Sequence, residues 1–408
     1  MDSDRIGNDR IVVTQLMASG AGGGAQVHVQ SLVEHLDPVR FDVNVISLSD
    51  GPAVRRIRAA GYCVHVIDVT DDDLAVEAVL ALLRVRPPDI LHNHMYRAEV
   101  VGTRAALALA DQGLARPYVV GTVHSSRVRS EEDKARLRWL TPSMDRLVAV
   151  SRAMVTKLEA EGRTSAPIEL IYNGVDLKRY EYTEACCTLP EEYGFPEGSP
   201  LVGVVARLEP EKGHATLIEA WPRVLEQVPE ARLLIVGEGS QRQTLEARAD
   251  ALNLLGCGCS APDHSVGTRH ARPEAKVLFT GLRDDVPAVT AALDVAVLPS
   301  YREAQGLAIL EALALRRPVV ATRVGGVPEM IEHRRTGLLV PPRDPAALAD
   351  AIATVLTDHP LADMIAKAGH DFVIANFSLD HMLAAVSAIY EEGAAAISLR
   401  GTTSRTAA

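Results

Sequence analysis

The stretch DVAVLPSYREAQGLAILEALALRRPVVA, residues 294–321, decides the fold. It opens on a short apolar run, Asp294–Leu298, that reads as a strand. A polar loop carrying Glu303 follows, and a helix begins near Gly306. A second apolar run, Pro318–Thr322, reads as the next strand. Strands apolar along their whole length, joined by a helix, belong to a parallel sheet covered on both faces.

Working outward, the same rhythm fills both halves of the chain. In the first half the apolar runs are Ile11–Met17, Phe41–Leu48, Cys63–Ile67, Asp89–Asn93, Tyr118–His124 and Leu147–Ser151. Helical patterns such as Gln26–Leu36 and Arg97–Ala110 lie between them. In the second half the runs are Leu201–Leu208, Ala231–Val236, Lys276–Thr280, Asp294–Leu298, Pro318–Thr322 and Gly337–Val340. The rhythm breaks at Leu177–Pro200, whose turn residues and acids read as a linker. The expectation is an α/β protein of two Rossmann-like lobes, residues 1–182 and 183–377. A helical stripe of Leu379, Met382, Leu383, Val386 and Ile389 marks a C-terminal helix at 378–395, and the Ser/Thr/Ala/Arg-rich tail 396–408 reads as frayed. The segment Leu255–Glu274 is too long for an ordinary connection and reads as an insertion.

Composition excludes several classes. The 408 residues are 47% apolar and 23% charged, ordinary globular values that rule out disordered and fibrous chains. With aromatics at 4%, Ala, Val and Leu must fill the cores. Five cysteines make no disulfide framework, and a reduced, cytoplasmic compartment is the expectation. Net charge is −11, which argues against nucleic acid as a partner. Residues Arg127–Arg152 carry seven basic and four acidic residues around Trp139; a solvated helix face is favoured over peripheral contact with the inner membrane face.

Ligands of such sheets bind outside the carboxyl ends of the strands, so the residues just after them carry the chemistry. After the first strand comes Ser19-Gly20-Ala21-Gly22-Gly23-Gly24-Ala25, whose glycines admit an anion to a helix N-terminus. Gly20-x-Gly22-x-x-Ala25 also matches a dinucleotide fingerprint, but the acid that a nicotinamide enzyme needs comes late, at Asp50. In the opening stretch, Glu303 precedes the helix and Glu311 lies within it. A solvated loop acid and a surface glutamate are the alternative, yet Glu311 sits in a nearly all-apolar helix, where a carboxylate needs a partner such as a ribose diol. Arg207 and Lys212 follow the first strand of the second half, two cations suited to a diphosphate or to pairing with Glu209 and Glu211. His92-Asn93-His94 closes another strand and reads equally as an acceptor-side or sugar-side site and as capping of the next helix by Asn93. Cys257-x-Cys259 with His264 and His270 is too tightly spaced for a structural zinc site, so no metal is assigned.

Taken in order, these residues resemble the retaining glycosyltransferases of family 4. The resemblance rests on Gly-Gly-Gly-Ala-Gln-Val-His near the start, Val150-Ser151, Asn173-Gly174-Val175-Asp176, Arg207-Leu-Glu-Pro-Glu-Lys212-Gly213, Val236-Gly237-Glu238-Gly239, Glu303-x7-Glu311, Gly325-Gly326-Val-Pro-Glu329 and Thr336-Gly337. It implies the GT-B fold and transfer of a sugar from a nucleoside-diphosphate sugar, UDP-linked by preference, to an acceptor hydroxyl with retention. It also implies that no metal or other cofactor is required. Residue by residue, it implies that Arg207 and Lys212 hold the diphosphate and Glu311 the ribose. Glu303 and the backbone of Ala304, Gln305, Gly306 and Leu307 would meet the donor sugar. His124, in Thr122-Val123-His124-Ser125, would face that sugar, and Gly22 and Gly23 would approach the phosphate. Ala304-Gln305-Gly306 stands where Gly-Phe-Gly is commoner. A sugar-nucleotide epimerase on the same fold and a Rossmann-type oxidoreductase are the rival readings; the second leaves Arg207, Lys212, Glu303 and Glu311 unexplained.

Overall fold

The computed structural model describes residues 10–127, 129–181, 192–255 and 274–406. The insertion 255–274, with Cys257, Cys259, His264 and His270, lies almost wholly outside the described residues.

The chain forms two compact units, one running to Gly174 and resuming at Leu379, the other covering Val175–Ser378. The first is built on a seven-stranded parallel sheet in the order β3-β2-β1-β4-β5-β6-β7. Its strands are β1 Ile11–Met17, β2 Phe41–Ser47, β3 Val64–Val66, β4 Ile90–His94, β5 Tyr118–Val123, β6 Arg146–Ala149 and β7 Ile168–Leu170. The second has a six-stranded parallel sheet, β10-β9-β8-β11-β12-β13. Its strands are β8 Leu201–Val205, β9 Arg232–Val236, β10 Val277–Gly281, β11 Val295–Leu298, β12 Val319–Thr322 and β13 Leu338–Val340. Each order reverses once, between β1 and β4 and between β8 and β11. There the connecting loops run to opposite sides and open a crevice at the strand ends.

Three sequence expectations change. Leu177–Pro200 is not a bare linker: the chain crosses between units earlier, after Gly174, and Tyr180, Tyr193 and Phe195 are buried in the second unit. Aromatic side chains large enough to anchor a segment outweigh its irregular pattern. The C-terminal helix does not stop at 395 but runs Leu379–Thr406. Its Ala-rich turn is a strong helix former, and Ala396 and Ile397 still pack on the core. Asn93 does not cap a helix, because β4 continues to His94 and Met95 stands at the helix start.

The C-terminal helix belongs to the first unit because its apolar stripe has nowhere else to go. Leu379, Met382, Val386, Ile389 and Tyr390 are buried there with Ile90, Tyr118 and Val120. Leu379–Arg400 is long and apolar enough in composition to cross a membrane; one stripe of it is buried in the first unit, and 28% of the apolar window is buried in all.

Candidate active site

In the second unit the switch point between β8 and β11 gathers the charged residues. The loop after β8 makes a short turn, Pro210–Lys212, and ends at Gly213. Gly213 has φ +71, and a Cβ there would lie 1.9 Å from the carbonyl oxygen of Pro299, just past β11. Only glycine lets the two loops approach so closely. Tyr301 N donates to Glu211 O at 2.7 Å and ties them together. The result is an ion pair across the switch point: Lys212 Nζ donates to Glu303 Oε1 at 2.6 Å. Ser300 Oγ donates to the same oxygen at 2.8 Å. Glu303 is buried and its loop is clamped from behind, since a Cβ on Gly325 (φ +50) would sit 1.7 Å from Glu303 O.

Arg207, from the β8 loop, is half exposed and pairs with Glu211 at 3.3 Å. That pair is solvent-screened and weakly held, so the guanidinium is available to a ligand. Ala304 and Gln305 are buried. Gly306, at φ 99, starts the helix Leu307–Ala314 without a side-chain cap. Such a start leaves backbone N–H groups for an anion. Glu311, on that helix, lines a small cavity of about 20 Å³ with Gly203, Val205, Leu298 and Ala308. The cavity has room for a water and not for a ribose. Burial raises the pKa of Glu311, and a hydrogen bond from the Tyr180 hydroxyl and the charge of Arg179 oppose that shift. Tyr180 is therefore a partner of Glu311 that sequence reading missed, because it lies in the stretch read as a linker. Arg343, which sequence reading also missed, stacks 4.4 Å over the ring of Tyr301 in the loop after β11.

The first unit has its own polar cluster at the ends of β1, β4 and β5. Gly22 is exposed with open space around it, and the helix Gly24–His35 begins without a side-chain cap. His92 and Asn93 are fully buried, so they line the interior and not the surface. His92 contacts the hydroxyls of Tyr390 and Thr122, both at 2.6 Å. His94 Nε2 donates to Gln15 Oε1 at 2.7 Å, and His94 Nδ1 lies 3.2 Å from His124 Nε2. Burial, reinforced by neighbouring histidines, holds His92, His94 and His124 neutral, with pKa values well below the usual range. His28 joins them, pushed down to about 4 by burial. Nitrogens of His28, His94 and His124 lie within 4.8 Å of one another, the grouping among the described residues with metal-ligand spacing. Nothing in a single segment signals that convergence, since three segments assemble it.

Two units, each a doubly wound parallel sheet, with a lysine–glutamate pair at one switch point, define a two-domain α/β protein with a charged site at its strand ends. The comparisons with known proteins agree. Residues 22–179 match the Glycosyltransferase Family 4 profile, and residues 199–358 match that of Glycosyl transferases group 1. The glycogen synthase of Mycobacterium tuberculosis is 31% identical over 317 residues, which span 74% of this chain and 68% of that protein. The GDP-mannose-dependent α-(1-6)-phosphatidylinositol monomannoside mannosyltransferase of the same organism is 32% identical over 258 residues, 61% of this chain and 62% of its own. Among solved structures, HepE of Anabaena in complex with UDP and glucose superposes with a TM-score of 0.80 at 23% identity, covering 94% of this chain and all of that one. The chain belongs to glycosyltransferase family 4, has the GT-B fold and is a glycosyltransferase.

Proposed function

We propose that this glycosyltransferase transfers a sugar from a nucleoside-diphosphate sugar, UDP-linked by preference, to an acceptor hydroxyl with retention of configuration. The observation that carries the reading is the Lys212–Glu303 pair at 2.6 Å on the β8/β11 switch point. It sets an ammonium for the diphosphate beside a carboxylate for sugar hydroxyls. Both bonds that fix Glu303 fall on Oε1, so Oε2 is left to accept a hydroxyl. Arg207, Lys212 and the N–H groups at Gly306–Leu307 would stabilise charge as the diphosphate leaves. Such fixed donors act most strongly where charge develops. With this cationic set the leaving group requires no metal. Glu311 would take the ribose only after Tyr180, which holds its carboxylate, moves aside and widens the small cavity there. His124 and the Gly22–Gly23 turn are the first unit's candidates for contact with substrate, as the family resemblance implies. The UDP preference draws support from the HepE complex, and the GDP-mannose enzyme marks the main competitor.

Chromatography of products tests the reading. The protein incubated with a UDP-sugar and EDTA should leave the donor mostly intact and release UDP when a competent acceptor is added. Conversion of donor alone to an isomeric nucleotide sugar would identify an epimerase instead.

A further inference from the structure

The histidine cluster of the first unit has more ligand capacity than the transfer reaction uses. His28 lies on the helix Gly24–His35, His94 ends β4 and His124 follows β5. The His28 ring is 4.7 Å from that of His124 and 5.5 Å from that of His94, centroid to centroid. One nitrogen of each lies within 4.8 Å of the other two. The nearest pair, His94 Nδ1 and His124 Nε2 at 3.2 Å, almost matches the roughly 3.3 Å that two nitrogens about 2.0–2.1 Å from a tetrahedral ion span.

The surroundings are those of a ligating histidine. His94 Nε2 donates to Gln15 Oε1 at 2.7 Å, and Gln15 is itself held by its bond to the Tyr390 hydroxyl at 2.8 Å. A carbonyl partner on the far nitrogen fixes the tautomer and leaves the Nδ1 lone pair directed inward. His28 is 2% exposed, and a side-chain hydrogen bond with Asn173 offsets part of its burial, which leaves one of its two ring nitrogens for another partner. The Nδ1 of His124 is likewise unpaired. Buried polar atoms left this way call for a partner. The neutral state that burial enforces is the form that binds metal.

We propose that His28, His94 and His124 form a binding site for a divalent transition-metal ion of the zinc class. Imidazole sets of this kind suit zinc, copper, cobalt and nickel, not magnesium or calcium. On binding, the His124 ring proton moves from Nε2 to Nδ1, and both facing nitrogens bind the ion with one nitrogen of His28 and a water. No proton is released. Because the ion occupies His124, it acts as an inhibitor of transfer; that consequence rests on the proposed role of His124, whereas the site itself does not.

Cobalt serves as the spectroscopic probe. Full-length protein, freed of metal with EDTA and dialysed, is titrated with Co²⁺ while visible absorption and turnover are followed. The expected result is one equivalent bound with ligand-field bands of a low-coordinate nitrogen site, and turnover falling in step. His28→Gln should weaken binding by at least about tenfold, since even an outer partner of a ligating histidine is worth that much, and relieve inhibition while turnover in EDTA stays unchanged. If His28→Gln does not fold, the half-buried His124→Asn tests the same binding. Bands that appear with unchanged turnover would support the site and remove His124 from the reaction. Absence of bands overturns the proposal. So does binding that survives both substitutions with a near-ultraviolet thiolate band, which would locate the ion on cysteine.

Discussion

At the scale of single residues, two glycines and one ion pair set the charged site. Lys212 and Glu303 meet because Gly213 and Gly325 admit backbone where any side chain would collide. Lys212→Ala removes a positive charge where negative charge develops, so turnover at saturating donor should fall about 10²–10³-fold. Steady-state kinetics on the folded variant checks this, and a wild-type rate would remove Lys212 from the reaction. His214, next along, starts its helix with the ring buried; burial and then Lys212 lower its pKa to about 4. The unfolded chain binds that proton near pH 6.5, so the native state loses stability as pH falls from 6.5 toward 4. His214→Asn should flatten the pH dependence by about 1–2 kcal/mol between pH 6.5 and 5, measured by urea unfolding at the two pH values. An unchanged slope would mean that the ring is protonated in the fold. Lys212, Glu303 and Glu311 were legible in the sequence because strand ends point at them. Tyr180 and His28 were not, because each acquires its meaning from partners far along the chain.

At the scale of elements, the strands were legible where both faces are buried, since such burial demands unbroken apolar runs. β1 coincides with its run, and β8 through β13 lie within a residue or three of theirs. β7, Ile168–Leu170, escaped notice: it is three residues at a sheet edge with a glutamate at its centre. The C-terminal helix was legible by its stripe, and its full length was not, because a tail rich in Ser, Thr and Arg reads as frayed. That helix approaches the sheet closely at Gly393, where a Cβ would stand 2.7 Å from Ile90 Cδ1 and the Tyr118 ring. Gly393→Val should therefore lift the helix and destabilise the first unit by about 1–3 kcal/mol, the usual result of overpacking. Thermal or urea unfolding reads the change, and a variant as stable as the parent would show that the helix does not dock there. Gly393→Ala should cost less than Gly393→Val.

At the scale of the molecule, the chain passes between units twice, after Gly174 and after Ser378. The second unit carries the cationic pair and Glu311; the first carries the histidines. On the proposed function, the second unit holds a nucleoside diphosphate through side chains, with Glu311 on the ribose and no metal in between. Isothermal titration of wild type and Glu311→Ala with UDP, GDP and ADP in EDTA tests it most directly. The expected result is saturable one-to-one binding, tightest for UDP, weakened about ten- to hundredfold in Glu311→Ala by loss of a charged hydrogen bond worth about 1.5–3 kcal/mol. A folded wild type that binds none of the three in EDTA, or a Glu311→Ala variant that binds as tightly as the parent, would contradict it.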